Sequence, residues 1–458
     1  MRYYLANLYL GRVVLALLMD WTALGLAAAI TWTQLQPPFP APVFVGATLA
    51  AGTVFTVLLY YAEAYGLTVL GSGRRTLLSV VAAFGVGATV SLVANLLLPL
   101  PRGGMETLAY FAALYAPFLV TGRVLFRLLS SRERFAQRVL LIGNSDLSRA
   151  IARAVCDRRN LGTEIIGILS DDPDDQGAWI EGYPVIGRVH ELEKVLDRVP
   201  VDRIVVASKK RDEHFPASEL LRLKLMSWQI DSGVSFYERV TGRMYLRELR
   251  PSYLIFNQGF ALGRPSLVAK RALDVGLSAL GLVLVGPILA GAILAIRLDS
   301  RGSALYGQER VGLGGRTFRV WKLRSMRDDA EEETGAVWSQ RDDDRVTRVG
   351  RFLRKARIDE LPQLWNVLRG DMSLVGPRPE RPEFVEMLAD RYPYFRARSA
   401  VRPGITGWAQ IRDGYVNDVA HVEEKLALDF YYLKYRSLTM DLLILWKTLK
   451  TVLLLRGI

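Results

Sequence analysis

The sequence predicts a membrane protein with a transmembrane helix bundle followed by two α/β domains, the second held to the membrane by a helix that enters and leaves on one side. Four apolar stretches fill the first third of the chain. A strand, turn and helix pattern begins at Arg138, and a fifth apolar run, interrupted by Gly286 and Pro287, precedes a basic C-terminal third. The 458 residues suffice for two or three domains. The expected segments are four transmembrane helices at 1–135, an α/β domain at 136–235, a linker at 236–264 and a second α/β domain at 265–458, with its membrane helix at about 270–298.

The four apolar stretches cover approximately residues 13–33, 43–64, 77–98 and 108–129. Each is close to the ~20 residues that an α-helix needs to cross the hydrocarbon core. The alternative, a set of buried helices in a large soluble core, is disfavoured by four such stretches in succession. A cleavable signal peptide is also disfavoured, because three further stretches follow the first and no small-residue cleavage site stands out. The pattern therefore predicts a four-helix transmembrane bundle.

The charges in the connecting loops predict the orientation of this bundle. Residues 34–42 carry no charge, whereas Arg74 and Arg75 lie in the second loop and a run of arginines follows the fourth stretch. Basic loops stay on the cytoplasmic side. The amino terminus and everything after residue 129 are therefore expected to face the cytoplasm.

The composition limits the classes of function. The chain is 50% hydrophobic with a formal net charge of +13, which suits an anionic membrane surface or phosphorylated substrates. Nucleic acid is not an expected partner, because no DNA- or RNA-binding module accompanies the charge. Cys156 is the only cysteine, which excludes an intrachain disulfide and a cysteine cluster for metal. The three histidines are scattered and offer little basis for a zinc site or a Ser-His-Asp triad.

The middle domain has the pattern of a Rossmann-like unit. Residues 138–155, RVLLIGNSDLSRAIARAV, read as a strand, a glycine turn and a helix, and further strands follow. After Gly143, however, Ser145 and Ser148 replace the later glycines of the dinucleotide fingerprint. The sequence therefore favours a structural or regulatory role over NAD binding. Sensing of a nucleotide or sugar nucleotide remains open.

The fifth apolar run, Ala272 to Ile296, is long enough to cross a bilayer. Pro287 removes a helix hydrogen bond and favours a kink. A bend at Gly286-Pro287 that returns the chain to its own side would keep both α/β domains in the cytoplasm, so we expect a re-entrant helix. The apolar segment near the C-terminus contains Asp441 and two lysines, which suits a helix lying in the membrane interface.

The segment from Arg345 to Arg381 carries the strongest chemical signal. Asp359 and Glu360 precede the corner Pro377-Arg378-Pro379. They come just after five closely spaced basic residues, which are Arg348, Arg351, Arg354, Lys355 and Arg357. A carboxylate can attack phosphorus to form an acyl phosphate, and arginine and lysine can hold the phosphate oxygens. A second carboxylate suits Mg²⁺, which takes one or two carboxylates together with phosphate oxygens. The alternative is a solvated pair of carboxylates at a helix end, satisfied by local arginines.

The wider context of this pair resembles a known family. Residues 359–379, DELPQLWNVLRGDMSLVGPRP, together with QERVG at 308–312, WKLRSM at 321–326 and RPGITGWAQ at 402–410, closely resemble the signature of bacterial polyprenyl-phosphate phosphoglycosyl transferases. The resemblance covers roughly 265–458 and implies an α/β monotopic phosphoglycosyl transferase domain with a re-entrant membrane helix. Residues 236–260 resemble the linker of exopolysaccharide-type members.

The resemblance also implies a reaction and a set of site residues. Asp359 would be the nucleophile that takes phosphosugar from a UDP-sugar and releases UMP, and Glu360 would serve a Mg²⁺ site. The phosphosugar would then pass to undecaprenyl phosphate at the cytoplasmic face of a bacterial inner membrane, as the first membrane step of exopolysaccharide or related glycoconjugate synthesis. The substrate contacts expected are Lys322, Arg324, Arg354, Gln363, Arg378 and Arg402.

Membrane lipid is a further expected partner, and long members of this family are often homodimers. Two other classes of function stay open at this point. One is a membrane-bound NAD-dependent sugar-modifying enzyme that works through residues 138–235. The other is a non-catalytic scaffold for a polysaccharide export complex.

Overall fold

A computed structural model of the protein describes residues 4–36, 40–61, 104–129, 137–157, 163–208, 215–249, 251–257, 259–327, 344–412 and 421–453. The chain forms two compact units, Met1–Val240 and Thr241–Ile458. The first unit contains the N-terminal helices and a parallel sheet. The second unit contains the long apolar helix and the segment with the paired carboxylates.

Long apolar helices open the first unit: α1 (Tyr4–Leu35), α2 (Ala41–Tyr61) and α3 (Gly104–Leu129). Helix α1 packs against both others around a buried apolar core. Asp20 and Arg123 form a buried ion pair at 2.6 Å, which compensates two charges that would be costly alone in an apolar environment. By length and hydropathy, α1 and α3 can each span a membrane. The predicted stretch 77–98 lies outside the described residues, so the four-helix bundle stays a prediction.

The rest of the first unit is built on a six-stranded sheet in the order β3-β4-β2-β1-β5-β6. Its neighbouring strands are parallel except for the antiparallel pair β3 and β4 at one edge. The parallel strands follow the Rossmann order that the sequence predicts, with the apolar β1 buried at the centre. The strands are β1 (Gln137–Ile142), β2 (Thr163–Leu169), β3 (Trp179–Ile180), β4 (Tyr183–Gly187), β5 (Arg203–Val206) and β6 (Ile230–Ser232); the helices are α4 (Asp146–Asp157), α5 (Leu192–Arg198), α6 (Ala217–Leu225) and α7 (Gly233–Thr241).

The turn after β1 shows what the serines of the incomplete fingerprint do. Gly143 has φ 96°, and a Cβ there would lie 2.7 Å from the Cα of Ser208. Ser148 Oγ donates a hydrogen bond to the carbonyl of Gly143, and Ser145 Oγ donates one to the carbonyl of Ala207. Ser148 therefore closes the turn on itself, and Ser145 fastens the turn to the residue after β5. Both serines lie at positions where a dinucleotide-binding turn has glycine.

The second unit contains α8 (Pro251–Phe256) and the 36-residue helix α9 (Arg264–Asp299). Both ends of α9 contact the same folded unit. Asp274 Oδ1 accepts a hydrogen bond from Leu374 N, and Asp299 Oδ2 accepts one from Val349 N. Apolar side chains between these ends are exposed, among them Val283 at 75%. The helix runs through Pro287, so the predicted bend at Gly286-Pro287 stays a prediction.

The rest of the second unit surrounds a core that includes Val320, Val367, Leu374, Leu428 and Tyr432. Strands β7 and β8 form an antiparallel hairpin, and β9 pairs with β10 in parallel. The elements are β7 (Leu305–Val311), β8 (Thr317–Leu323), α10 (Arg348–Ala356), α11 (Gln363–Arg369), β9 (Ser373–Val375), α12 (Pro382–Arg391), β10 (Gly404–Thr406), α13 (Trp408–Arg412), α14 (Val422–Tyr435) and α15 (Leu438–Leu453).

Candidate active site

A strained turn between α10 and α11 carries the paired carboxylates. Helix α10 ends at Ala356, and the next residue, Arg357, has a left-handed backbone at φ 58° and ψ 20°. A non-glycine residue in this conformation costs about 1 to 3 kcal/mol and is often found at functional sites. One 3₁₀ turn, Ile358–Glu360, then turns the carboxylates inward. Asp359 and Glu360 are consequently only 9% and 8% exposed, which excludes the solvated pair considered from the sequence.

Three cations from separate segments surround Glu360. Arg378 Nη2 lies 3.1 Å and Lys322 Nζ 3.8 Å from Oε1, and Arg357 Nη1 lies 3.6 Å from Oε2. Burial alone would raise the pKa of Glu360, but Arg378, Lys322 and Arg357 together lower it to about 2. Glu360 is therefore ionised throughout the neutral range.

Asp359 has a different environment, although it is the adjacent residue. Burial, and then the charge of Glu360, raise the pKa of Asp359 to about 6, against the opposing effect of Lys322, Arg354 and Arg357. Within the described part of the chain, its carboxylate has no hydrogen bond or ion pair. At neutral pH this arrangement leaves an ionised carboxylate whose oxygens are available for attack on an electrophile.

Lys322 reaches the pair from strand β8, which lies against the 3₁₀ turn. A close approach nearby makes this packing possible: a Cβ at Gly350 of α10 would lie 2.0 Å from the carbonyl oxygen of Ser325. Burial lowers the pKa of Lys322 to about 8, although the charge of Glu360 opposes the shift. Lys322 therefore carries most of its charge at pH 7 and loses it at mildly alkaline pH.

Backbone contacts fix Arg378 from both sides of its Pro-Arg-Pro corner. The carbonyl of Arg378 accepts a hydrogen bond from Arg398 Nη2 at 3.1 Å, and Arg398 is itself held by Asp429 at 2.7 Å. On the other side, Arg310 Nη1 donates to the carbonyl of Pro379 at 3.1 Å. These contacts and the two flanking prolines fix the backbone of Arg378, and Glu360 holds its guanidinium at 3.1 Å. A donor that is positioned in advance is what stabilisation of phosphate charge requires.

Glu360 is the residue that would hold a Mg²⁺ ion. Its carboxylate offers the hard oxygen donors that Mg²⁺ uses together with phosphate oxygens. Among the described residues, no group of three or more His, Cys, Asp or Glu is placed to hold a metal by itself. Because three cations already face Glu360, its donors suit an ion that arrives with phosphates rather than an all-protein site.

Comparison with known proteins agrees with this chemistry. Residues 265–455 match the family described as bacterial sugar transferase, and residues 60–214 match a family described as CoA-binding domain. A UDP-glucose:undecaprenyl-phosphate glucose-1-phosphate transferase of Klebsiella pneumoniae is 30% identical over 347 residues, which cover 74% of this chain and 73% of the relative. The chain belongs to the bacterial sugar transferase family. The family resemblance inferred from the motifs is thereby confirmed.

Other members of the family match shorter regions. A Caulobacter vibrioides protein described by the same activity is 49% identical over 40% of this chain and 69% of its own length. The N-acetylgalactosaminephosphotransferase of Aeromonas hydrophila, which uses undecaprenyl phosphate according to its name, is 43% identical over 47% of this chain and 50% of its own length. The chain thus spans half of the Aeromonas relative. A Rex-family repressor structure aligns over 26% of the chain at 18% identity with a TM-score of 0.20, which is too low to support an argument.

The structure brings together most of the site residues that the sequence predicts. Lys322, Arg378 and Glu360 are within ion-pair distance, and Arg354 acts electrostatically on Asp359. Gln363 is buried at the first position of α11. Arg402 is exposed, and its Nε donates to the carbonyl of Gly370.

Arg324 has contacts of a structural kind. Its guanidinium donates to the carbonyls of Ser300 and Arg301 and to the hydroxyl of Ser300, directly after the last turn of α9. Carbonyl groups at a helix end lack partners within the helix, so a buried arginine there stabilises the fold. These contacts hold the C-terminal end of α9 against β8.

We therefore expect Arg324→Gln to act on stability rather than on catalysis. Loss of these buried hydrogen bonds is expected to lower the free energy of unfolding by about 1 to 3 kcal/mol, with the KM for donor unchanged within about twofold. Thermal unfolding in detergent and steady-state kinetics measure the two effects. Arg327→Gln, at an exposed position four residues after β8, is the control. An unchanged melting temperature with a raised KM would instead make Arg324 a substrate contact.

Some residues of the site are not singled out by the motif. Arg357 contributes both the left-handed turn and an ion pair to Glu360. Arg310, Arg398 and Asp429 hold the Pro-Arg-Pro corner from other segments of the chain. The charge-dense run before Asp359 signals Arg357, whereas no local pattern marks Arg398 and Asp429 as neighbours of Arg378.

Proposed function

We propose that the protein transfers a sugar 1-phosphate from a UDP-sugar to polyprenyl phosphate through a covalent intermediate on Asp359. The observation that carries the proposal is the difference between the two carboxylates: among the residues that the structure describes, buried Asp359 has no hydrogen bond or ion pair, whereas three cations keep Glu360 ionised beside it. A nucleophile next to fixed cations suits attack on a phosphate. The names of the relatives, which cite undecaprenyl phosphate and sugar donors, support the same substrates.

In the first step, a carboxylate oxygen of Asp359 attacks the phosphorus that bears the sugar. The bond from that phosphorus to the bridging oxygen breaks, UMP leaves with the electron pair, and an aspartyl phosphosugar remains. Arg378 and Lys322 lie beside Glu360, the residue next to Asp359. Their charges therefore also act on phosphate oxygens at Asp359. The positive field offsets the repulsion between an anionic nucleophile and an anionic diphosphate.

In the second step, a phosphate oxygen of the polyprenyl phosphate attacks the same phosphorus. The acyl phosphate bond to Asp359 breaks, which restores the carboxylate and gives polyprenyl diphosphate sugar. When bound, Mg²⁺ would be held by Glu360 and would supply further charge neutralisation. The release of UMP before the lipid reacts makes the scheme a ping-pong mechanism.

The long helix α9 supports placement of this site at one membrane surface. Its two ends contact the same folded unit through Asp274 and Asp299, and its central apolar side chains are exposed. A helix that crossed a bilayer would carry its ends to opposite surfaces. We propose that α9 enters and leaves the cytoplasmic leaflet of a bacterial inner membrane, where the reaction begins exopolysaccharide or related glycoconjugate synthesis.

Thiol labelling in inverted and right-side-out vesicles tests this topology. In a Cys156→Ser background, Arg301→Cys is expected to react with an impermeant reagent only from the cytoplasmic side. Gln34→Cys, at the end of α1, should react only from the opposite side and serves as the control. Periplasmic labelling at position 301 would contradict the one-sided insertion of α9.

Release of UMP by the purified protein tests the proposed reaction. The protein in nanodiscs with Mg²⁺ and undecaprenyl phosphate is expected to release UMP from one donor in a panel that includes UDP-glucose and UDP-N-acetylgalactosamine. Release should require the lipid for multiple turnovers, whereas one equivalent should appear without it. Absence of both signals from a folded preparation across the panel would contradict the proposal.

The two shifted pKa values predict the pH dependence of kcat/KM. Asp359 must be ionised, so activity should rise with pH through about 6, where its pKa lies. Lys322 must be charged, so activity should fall as pH passes about 8. In Lys322→Arg the alkaline limb is expected to move upward, because arginine stays charged at higher pH, while the acid limb stays in place. An alkaline limb that does not move in Lys322→Arg would show that the charge of Lys322 does not set the upper pH limit of activity.

A further inference from the structure

Asn366 lies in the middle of helix α11 and is completely buried. Its side-chain amide contacts the backbone of strand β8. Nδ2 donates a hydrogen bond to the carbonyl of Arg319 at 2.8 Å, and Oδ1 accepts one from the N–H of Trp321 at 3.0 Å. The N–H and C=O groups of a residue in a neighbouring strand would bind backbone groups in the same way. The amide of Asn366 therefore joins β8 to a helix as a further strand would.

The helix that carries Asn366 is itself held in place. The carbonyl of Asn366 accepts hydrogen bonds from the N–H groups of Gly370 and Asp371, both at 3.1 Å. Gly370 ends the helix in the left-handed conformation, at φ 95°, as helices commonly end. Beside the amide, Val367 of α11 and Val320 of β8 belong to the same buried core. Asn366 thus links two packed elements.

The two elements that the amide joins carry opposite sides of the candidate active site. Lys322 follows Trp321 on β8, whereas Glu360 lies three residues before the first residue of α11. Lys322 Nζ and Glu360 Oε1 are 3.8 Å apart. A shift of β8 along α11 or away from it would change this spacing, and the hydrogen bonds of Asn366 oppose both movements. The amide therefore restrains the position of the ammonium group relative to the carboxylates.

A buried asparagine could also serve the fold alone, but its surroundings favour a role at the site. Strand β8 is paired with β7 along its whole length, and Val320 anchors it in the core. The hairpin therefore has its own support. An apolar side chain at position 366 could fill the same space, but it could not fix the register of β8, because apolar contacts are not directional as hydrogen bonds are.

We propose that Asn366 is a positioning residue for Lys322. Its amide holds β8 at the place where the ammonium group of Lys322 meets the phosphate oxygens of the donor during attack by Asp359. The inference rests on the proposed function, since it names the residue that aligns one of the cations of that site. Misplacement of a catalytic group by about 1 Å can lower a rate by about 10²-fold. Loss of the amide should therefore act on the rate of the first step.

Substitution of Asn366 and a single-turnover measurement in nanodiscs test the inference. Without polyprenyl phosphate, Asn366→Ala is expected to release its one equivalent of UMP with a rate constant that is lower by about 10- to 100-fold. The donor concentration that gives half of the maximal rate should change by less than about threefold, because the other contacts to the donor remain. Asn366→Ser, whose hydroxyl can pair with one of the two backbone groups, should lose less. It is the second variant if Asn366→Ala does not fold.

A double substitution separates positioning from a general effect on the fold. Lys322→Ala removes the group through which Asn366 acts. In that background, Asn366→Ala should lower the rate constant by less than about threefold further, because there is no longer an ammonium group to align. Residues that act independently would instead multiply their losses, and a multiplied loss would overturn the inference.

Tyr253→Phe is the control for a loss of stability. Tyr253 lies in α8, and its hydroxyl accepts a hydrogen bond from the buried Lys434. At a temperature where circular dichroism shows both variants to be folded, Tyr253→Phe should release UMP within about twofold of the unsubstituted rate. Equal losses of rate in Tyr253→Phe and Asn366→Ala would assign the effect of Asn366 to the fold and contradict positioning.

The failure of this inference and the failure of the reaction give different results. If the unsubstituted protein and a folded Asn366→Ala protein release UMP at the same rate, positioning is refuted and the transferase proposal stands. Unfolding of both Asn366 variants would show that the fold itself requires the amide and would likewise overturn the inference. No release of UMP by the unsubstituted protein would instead overturn the proposed function.

Discussion

Asp359→Asn is expected to lower turnover by about 10⁴-fold or more, since an amide cannot replace a carboxylate nucleophile. The measurement is incubation with a sugar-labelled UDP-sugar in the absence of polyprenyl phosphate. The unsubstituted protein should retain label and release one equivalent of UMP, and Asp359→Asn should do neither. Asp390→Asn, at an exposed position of α12, controls for the change of charge.

The same substitution is expected to preserve or increase stability. Because the pKa of Asp359 is raised to about 6 in the folded protein, the ionised carboxylate destabilises the fold. This penalty is absent below pH ~4, where the unfolded chain also holds the proton, and grows to at most about 3 kcal/mol above pH 6. Thermal unfolding at pH 8 and pH 4 tests whether the ionised carboxylate of Asp359 lowers the stability of the fold. Full turnover by a folded Asp359→Asn protein would refute the covalent role.

Arg378→Ala is expected to lower kcat/KM for the UDP-sugar by about 10² to 10³-fold, the usual effect of removing a fixed donor from developing charge. The structure holds Arg378 by its backbone, so the loss concerns the guanidinium rather than the shape of the corner. Arg378→Lys should recover only part of the activity, because lysine retains the charge but not the two-pronged geometry.

Arg369→Ala is the matched control for Arg378. Arg369 is an exposed arginine at the end of α11 that pairs with Asp371, so its removal should leave the kinetics unchanged. Steady-state kinetics with varied donor at saturating acceptor provides the measurement. Equal losses in Arg378→Ala and Arg369→Ala would indicate a general effect of net charge on binding and would contradict the specific role of Arg378.

Local sequence patterns predict the parts of the fold that depend on periodicity. The apolar lengths predict α1 and α3, and the strand and turn pattern around Gly143 predicts the parallel sheet with β1 at its centre. The run around Asp359 likewise predicts the candidate site, because two carboxylates and several basic residues are adjacent in sequence.

Contacts between distant segments are not predictable in this way. Arg324 and Lys322 are two residues apart in one basic motif, yet Lys322 faces Glu360 and Arg324 faces the end of α9. Side chains alternate between the two faces of a strand, so residues two apart would share a face. Strand β8 ends at Leu323, however, and Arg324 in the following loop points in a different direction. The support of Arg378 by Arg398 depends on tertiary packing and leaves no local pattern.

The environment of Glu360 has a consequence for the protein during synthesis. Glu360 leaves the ribosome after Lys322 and Arg357 but before Arg378. The two residues that hold the corner with Arg378 follow later still; they are Arg398 and Asp429. Until those segments fold together, Asp359 is neither buried nor surrounded by fixed charge and should titrate as an ordinary aspartate. A nascent chain therefore acquires the raised pKa of Asp359 only once these distant segments have folded together.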